Sequence, residues 1–184
     1  MHEVALRAGR VRVVRVASPA RDRVRDARDL AASLGVPVET VAPIDLDRAT
    51  RGGVHQGIAA DIDEAREYSV PELVAAASGP PLIVVLDGIE DPHNLGAILR
   101  TADAVGADGV VRQTRHAARL DGAAAKASAG AVAHVKVANV VNIARAVGEL
   151  KDAGVWTIGL DAEGPDSYDQ LDFTLPSAVV LGAE

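Results

Sequence analysis

Residues 87–105 hold the side chains best suited to chemistry, among them Asp87, Pro92, Asn94, Gly96 and Arg100. The segment leaves an apolar run at 82–86, crosses a loop with Gly88 and Pro92, and enters a helical pattern over 94–105. In an open α/β sheet, functional groups collect at the carboxyl ends of strands, which is where such a loop lies. Asn94 stands near the expected helix start, where an amide can hold the loop closed. Gly96 lets another backbone approach closely. Arg100 follows one to two turns in and can reach back toward the loop. Its delocalised cation suits a phosphate or a nucleophilic hydroxyl. The plain alternative is a capped helix with a surface arginine, and Asn94 or Arg100 taken singly favours it.

Other candidates carry less. Ser128 lacks the Gly-x-Ser-x-Gly setting of a nucleophile elbow. The 88–94 loop lacks the Gly-x-Gly-x-x-Gly fingerprint, which argues against a dinucleotide enzyme. No histidine pair has the spacing of a zinc site, so no metal is expected. Asp161, Glu163 and Asp166 read as a solvated acidic turn. His116 and Arg115 fall in an arginine-containing loop, residues 112–119, that could meet an anionic partner. His134 reads as structural.

The elements that must position these residues fall into two parts. In the first, Val11, Val13, Val14 and Val16 suggest a strand with Arg12 and Arg15 between them. A helix is expected over 21–34, stopped by Gly35, then a strand at 37–41 and a short helix at 45–51 before Gly52 and Gly53. A last strand is expected at 55–62. Residues 63–69 are polar and read as a linker, and Ser69 resembles an N-cap for a helix running to about Ser78. The second part alternates strands (82–86, 109–111, 134–138, 155–158, 178–181) with helices (94–105, 121–129, 141–153). Continuous apolar strands separated by helices predict a parallel sheet covered on both faces. The expected organisation is a first unit at 1–62, a linker and first helix at 63–80, and a second unit at 81–184.

Composition bounds the rest. The 184 residues are 48% hydrophobic but 2% aromatic, so the core must be Val, Leu, Ile and Ala. With no cysteine there is no disulfide framework. No apolar run is long enough for a membrane span, and the first residues lack the layout of a signal peptide, so a cytoplasmic protein is expected. The net charge of −7 argues against an indiscriminate nucleic-acid binder. It is uneven: ten arginines against eight acids leave +2 in residues 1–62, and nine cations against eighteen acids leave −9 in 63–184. Arginine suits phosphate, although a GC-rich genome would also favour its codons.

Taken whole, the string Pro92, Asn94, Gly96, Ala97, Arg100, Thr101, Ala102, Ala104, Gly106 resembles the first motif of the SpoU-type RNA 2′-O-ribose methyltransferases. Residues 53–60 (GVHQGIAA) look like the end of the ribosomal-protein-like RNA-binding domain found in the branch that methylates a guanosine ribose of 23S rRNA. Gly35-Val36-Pro37-Val38, Leu46-Asp47-Arg48, Lys126–Ala131 and Asn139 fit the same branch, and residues 179–184 resemble the opening of the second motif. The resemblance implies a small α/β RNA-binding domain followed by a SPOUT-type parallel-sheet domain. It also implies S-adenosylmethionine as cofactor, RNA as partner and a homodimer through the catalytic domain. Family members continue past the position of Glu184 through a Gly-rich loop and a Ser-Leu-Asn motif, so the family's trefoil knot is expected to be incomplete in these residues. Carried over, Arg100 would activate the hydroxyl or bind the adjacent phosphate, Asn94 would shape the loop, and Glu184 would orient its neighbours. Gly182 and Leu160 would meet the cofactor, with core packing the equal alternative for Leu160. Arg12, Arg15 and Arg115 would face RNA. A tRNA substrate, or a non-catalytic RNA-binding fragment, are the rival readings.

Overall fold

The computed structural model describes residues 11–18, 22–50, 52–62, 66–115, 117–118, 120 and 122–182. They divide into two units, 1–65 and 66–184, each built around its own aliphatic core.

The first unit holds β1 (Val11–Ala17), α1 (Asp22–Ser33), β2 (Val38–Val41), α2 (Pro43–Ala49) and β3 (Ile58–Ile62). Its sheet runs β2-β1-β3, with β2 parallel and β3 antiparallel to β1. Val14 and Val16 of β1 pack with Val24 and Ala31 of α1 and with Ile58. Gly35 ends α1 with a φ of +71°, a left-handed turn open to glycine. α2 begins at Pro43, earlier than its acidic run suggests, because proline is pre-set for a first helical turn. The strand expected from His55 begins only at Ile58. Gln56 has a φ of +53° and so cannot lie in a strand. His55 closes this turn: its Nδ1 accepts the Gly57 N–H at 3.0 Å, and its Nε2 lies 3.0 Å from Asp47 Oδ1.

The second unit holds α3 (Val70–Ala75), β4 (Leu82–Asp87), α4 (Pro92–Ala104), β5 (Gly109–Gln113), α5 (Gly122–Ala127), β6 (Val137–Val140), α6 (Ile143–Asp152), β7 (Trp156–Gly159) and β8 (Ser177–Gly182), with 3-10 turns at Ala131–Ala133 and Tyr168–Gln170. Its five strands run β6-β5-β4-β8-β7 and every neighbouring pair is parallel. This is the layered sheet that the continuous apolar strands predict. Ile83, Val85, Val111 and Ala178 face one way, against α3 and α6. Leu86 and Val110 face the other way, against Leu95 and Leu99 of α4.

Several boundaries move. The expected linker is shorter, because Glu67 bridges Val137 and the Tyr68 N–H donates to the Val137 carbonyl. Residues 66–80 therefore belong to the second unit. Ser69 does cap α3, in a reciprocal capping box with Glu72. That helix stops at Ala75, short of Ser78, before the Gly79-Pro80-Pro81 stretch. The strand expected to start at His134 starts at Val137, since residues 131–133 form a 3-10 turn that His134 caps.

Candidate active site

The loop after β4 enters α4 two residues earlier than its helical pattern suggests. Asp91 is the N-cap, its side chain accepting the His93 N–H at 3.0 Å, and Pro92 occupies the first turn. Asn94 is therefore inside the helix and is not its cap. Its side chain is exposed and makes no hydrogen bond among the described residues. Arg100 lies eight residues past Pro92, about 12 Å along the axis at 1.5 Å per residue. It too is exposed, without an ion-pair partner among the described residues. Helical spacing aligns His93, Ala97, Arg100 and Ala104 in one stripe, with Asn94 and Thr101 beside it, all on the solvent side. His93 is a member of this face that sequence reasoning passed over. Its i, i+7 relation to Arg100 was visible, but only a fixed helix start made it meaningful.

The buried side of α4 is Leu95, Gly96, Leu99 and Ala102. A Cβ placed on Gly96 would stand 2.4 Å from the Ala127 Cβ and 2.8 Å from the Ala124 carbonyl oxygen. The close approach anticipated for Gly96 is thus made by α5, which presses against the helix carrying Asn94 and Arg100.

β8 is the other neighbour of β4. In register, Asp87 pairs with Gly182, so the two strands end level with each other. On the far side of β8, Gly159 of β7 pairs with Val180, and the Leu160 N–H donates to the Val180 carbonyl at 3.0 Å. Among the described residues, a Cβ on Gly159 or Gly182 would meet nothing within 4 Å. Leu160 is 47% exposed, so it is not the core residue that was its alternative reading. It lines an open groove of about 810 Å³ together with Trp156, Gly159, Pro165 and Tyr168. Exposed backbone at two strand ends beside an apolar wall suits a flat, partly apolar ligand. Glu184 lies outside the described residues.

The arginines expected to meet RNA differ in setting. Arg15 is only 26% exposed, with Nη1 at 2.8 Å from Asp61 and Nε at 3.1 Å from Glu39. Hydrogen bonding to Asp61 raises its pKa, and the same bond holds the Asp61 carboxyl below its ordinary range. This guanidinium first serves to tie three strands together. Arg12 is exposed on the same strand. Arg115 is exposed in the loop after β5, without a partner among the described residues. On β5 itself Arg112 is turned inward, and its side chain bonds the Ala118 carbonyl. Among the described residues no group of three His, Asp or Glu side chains could hold a metal ion, and no helix is long and apolar enough to cross a membrane.

Residues 81–184 match the model of the SpoU rRNA Methylase family, and residues 3–68 match that for RNA 2'-O ribose methyltransferase substrate binding. The chain is 40% identical over 159 residues to the putative TrmH family tRNA/rRNA methyltransferase YacO of Bacillus subtilis, covering 85% of this chain and 64% of that protein. It is 40% identical over 163 residues to the 23S rRNA (guanosine-2'-O-)-methyltransferase RlmB of Nitrosomonas europaea, covering 88% of this chain and 63% of the other. It thus spans just under two thirds of the length of these two relatives. Its fold resembles that of the SpoU methyltransferase AviRb from Streptomyces viridochromogenes, crystallised in complex with the cofactor AdoMet. That likeness has a TM-score of 0.76 at 23% identity and covers 97% of this chain and 68% of that one.

Proposed function

The chain belongs to the SpoU rRNA methylase family, and from that premise we propose that it transfers a methyl group from S-adenosylmethionine to a ribose 2′-hydroxyl of RNA. The observation that carries this reading is the pairing of Asp87 with Gly182. It sets the strand that feeds the Asn94 and Arg100 helix beside the strand whose end has a bare backbone.

A ribose hydroxyl is a weak nucleophile, and the oxygen gains negative charge as its proton leaves. The cofactor supplies, when bound, an electrophilic methyl on a sulfonium. What this chain contributes is a place and a field. Leu160 and the Gly182 backbone would hold the cofactor. Arg100, a permanent cation on an exposed helix face, stabilises the oxygen or grips the adjacent phosphate. Asn94, one face over, orients the same ribose by hydrogen bonds. Glu184 is assigned an orienting role by the motif alone.

The finer reading is a guanosine of 23S rRNA, supported by the printed activity of the Nitrosomonas relative and by the substrate-binding match over residues 3–68. In it, Arg12 and Arg115 contact the RNA backbone, and Arg15 joins them where RNA phosphate displaces Glu39. A tRNA substrate is the second reading, supported by the tRNA/rRNA description of the Bacillus relative. A homodimer through the second unit and a cytoplasmic location complete the proposal.

Transfer of labelled methyl from S-adenosylmethionine to unmodified 23S rRNA or to unmodified tRNA tests it. Label in a 23S guanosine ribose is the expected result. Label in tRNA alone replaces the substrate. RNA binding with no cofactor binding by calorimetry and no transfer to either RNA leaves a non-catalytic RNA-binding protein.

A further inference from the structure

Arg112 occupies a position built for an apolar side chain. It follows Val110 by two residues on β5 and is paired with Leu86, so it points into the layer between the sheet and α4. It is 7% exposed. Burial strips water from its guanidinium and pulls its pKa below the ordinary value. Among the described residues no carboxylate offsets that cation. Its hydrogen-bond partner is the backbone oxygen of Ala118, which accepts from Nη2.

Ala118 is buried as well, and its own N–H donates to the Ile89 carbonyl at 3.0 Å. Ile89 belongs to the loop between β4 and the Asp91 cap of α4. A side chain rooted in rigid sheet therefore holds one loop, and that loop holds the next by its backbone. An apolar residue of similar volume would be as stable here or more so, because an unpaired buried cation carries a desolvation cost. Stability does not account for the arginine, whereas a single required loop arrangement does.

We propose that Arg112 is a positioning residue, which through Ala118 locks loop 88–91 and so sets where α4 presents Asn94 and Arg100. The proposal rests on the methyltransferase reading for its consequence in catalysis, but the clamp itself can be read without turnover.

The test replaces Arg112 with Met, which keeps the volume and removes the donor, in the protein as the gene encodes it. The Ala118 amide should exchange with solvent about tenfold faster, while the Leu99 amide is unchanged. Turnover should fall by about tenfold to a hundredfold, because small misplacement of a catalytic group is costly. KM for RNA and Kd for S-adenosylmethionine should stay within about twofold. Arg112→Lys, which can still donate to Ala118, should recover part of the turnover. Unchanged Ala118 exchange in Arg112→Met overturns the clamp. Lost turnover accompanied by general loss of protection, unrescued by Lys, also overturns it, since the residue would then be only structural. If Arg112→Met does not fold, Arg112→Gln, too short to reach Ala118, is read in the same way. Absence of methyl transfer by the unmodified protein defeats the enzymatic reading, while Ala118 exchange still decides the clamp.

Discussion

Arg100 and Gly96 sit one turn apart on one helix, Arg100 exposed and Gly96 buried, and each can be tested alone. Arg100 is exposed and lacks an intramolecular partner among the described residues, so its removal disturbs no packing. Arg100→Ala is expected to lower methyl transfer by about a hundredfold to a thousandfold, the range for loss of a group that meets developing charge. Calorimetry should find cofactor affinity unchanged, and wild-type turnover would remove Arg100 from the site. Gly96→Ala acts from the buried side. The added methyl would meet Ala127, Ala124 and Ser128 at 2.4 to 2.8 Å, and backbone atoms among them cannot swing away. A loss of about 1–3 kcal/mol is expected, as for overpacking in a tight core, with urea unfolding as the readout. At this scale the motif was legible in the sequence because the whole string from Pro92 to Gly106 resembles the first motif of the SpoU-type methyltransferases. Asn94 does stand in the first turn of the helix, but the N-cap is Asp91. Asp91 makes a better cap one residue before a proline, and a helix start shifted by two residues reassigns every position after it.

At the scale of elements, the first unit depends on an ion pair that joins β1 to both of its neighbours. Arg15 bonds Asp61 on β3 and Glu39 on β2. The bond from Arg15 holds the Asp61 carboxyl below its ordinary pKa. A lowered carboxylate pKa adds stability that is present above the unfolded-state pKa and lost as pH falls through the folded value. Asp61→Asn should therefore cost about 0.5 kcal/mol at neutral pH, modest because both partners are partly solvated. The difference from wild type should vanish in acid, when denaturation is followed across pH. A gap that persists in acid would assign the effect to packing. The pairing of Arg15 was not legible in the sequence. The spacing of 24 residues to Glu39 and 46 to Asp61 carries no signal until the strands are in register.

At the scale of the whole molecule, the two units have separate cores and unequal charge, residues 1–65 being neutral overall while residues 66–184 carry the net −7. A chain starting at Arg66 is expected to keep its parallel sheet and the cofactor affinity of the parent. It should lose most RNA affinity, and the affinity lost should be the salt-sensitive part, since arginine contacts to phosphate release counterions. Filter binding across salt concentrations reads this, and equal RNA affinity with and without residues 1–65 would reject the role assigned to the first unit. What the amino-acid order alone determined was local: apolar runs too short for helices, helical periods between them, an N-cap at Ser69, and a motif string that marks the family. Each rests on forces acting over a few residues. What only the tertiary structure decided was which strand ends lie together. The order β6-β5-β4-β8-β7 sets Gly182 beside Asp87, 95 positions away in the chain. It also turns Arg112 inward while Arg115 stays in solvent. Both follow from burying two faces of one parallel sheet, a condition on the whole chain that no local window contains.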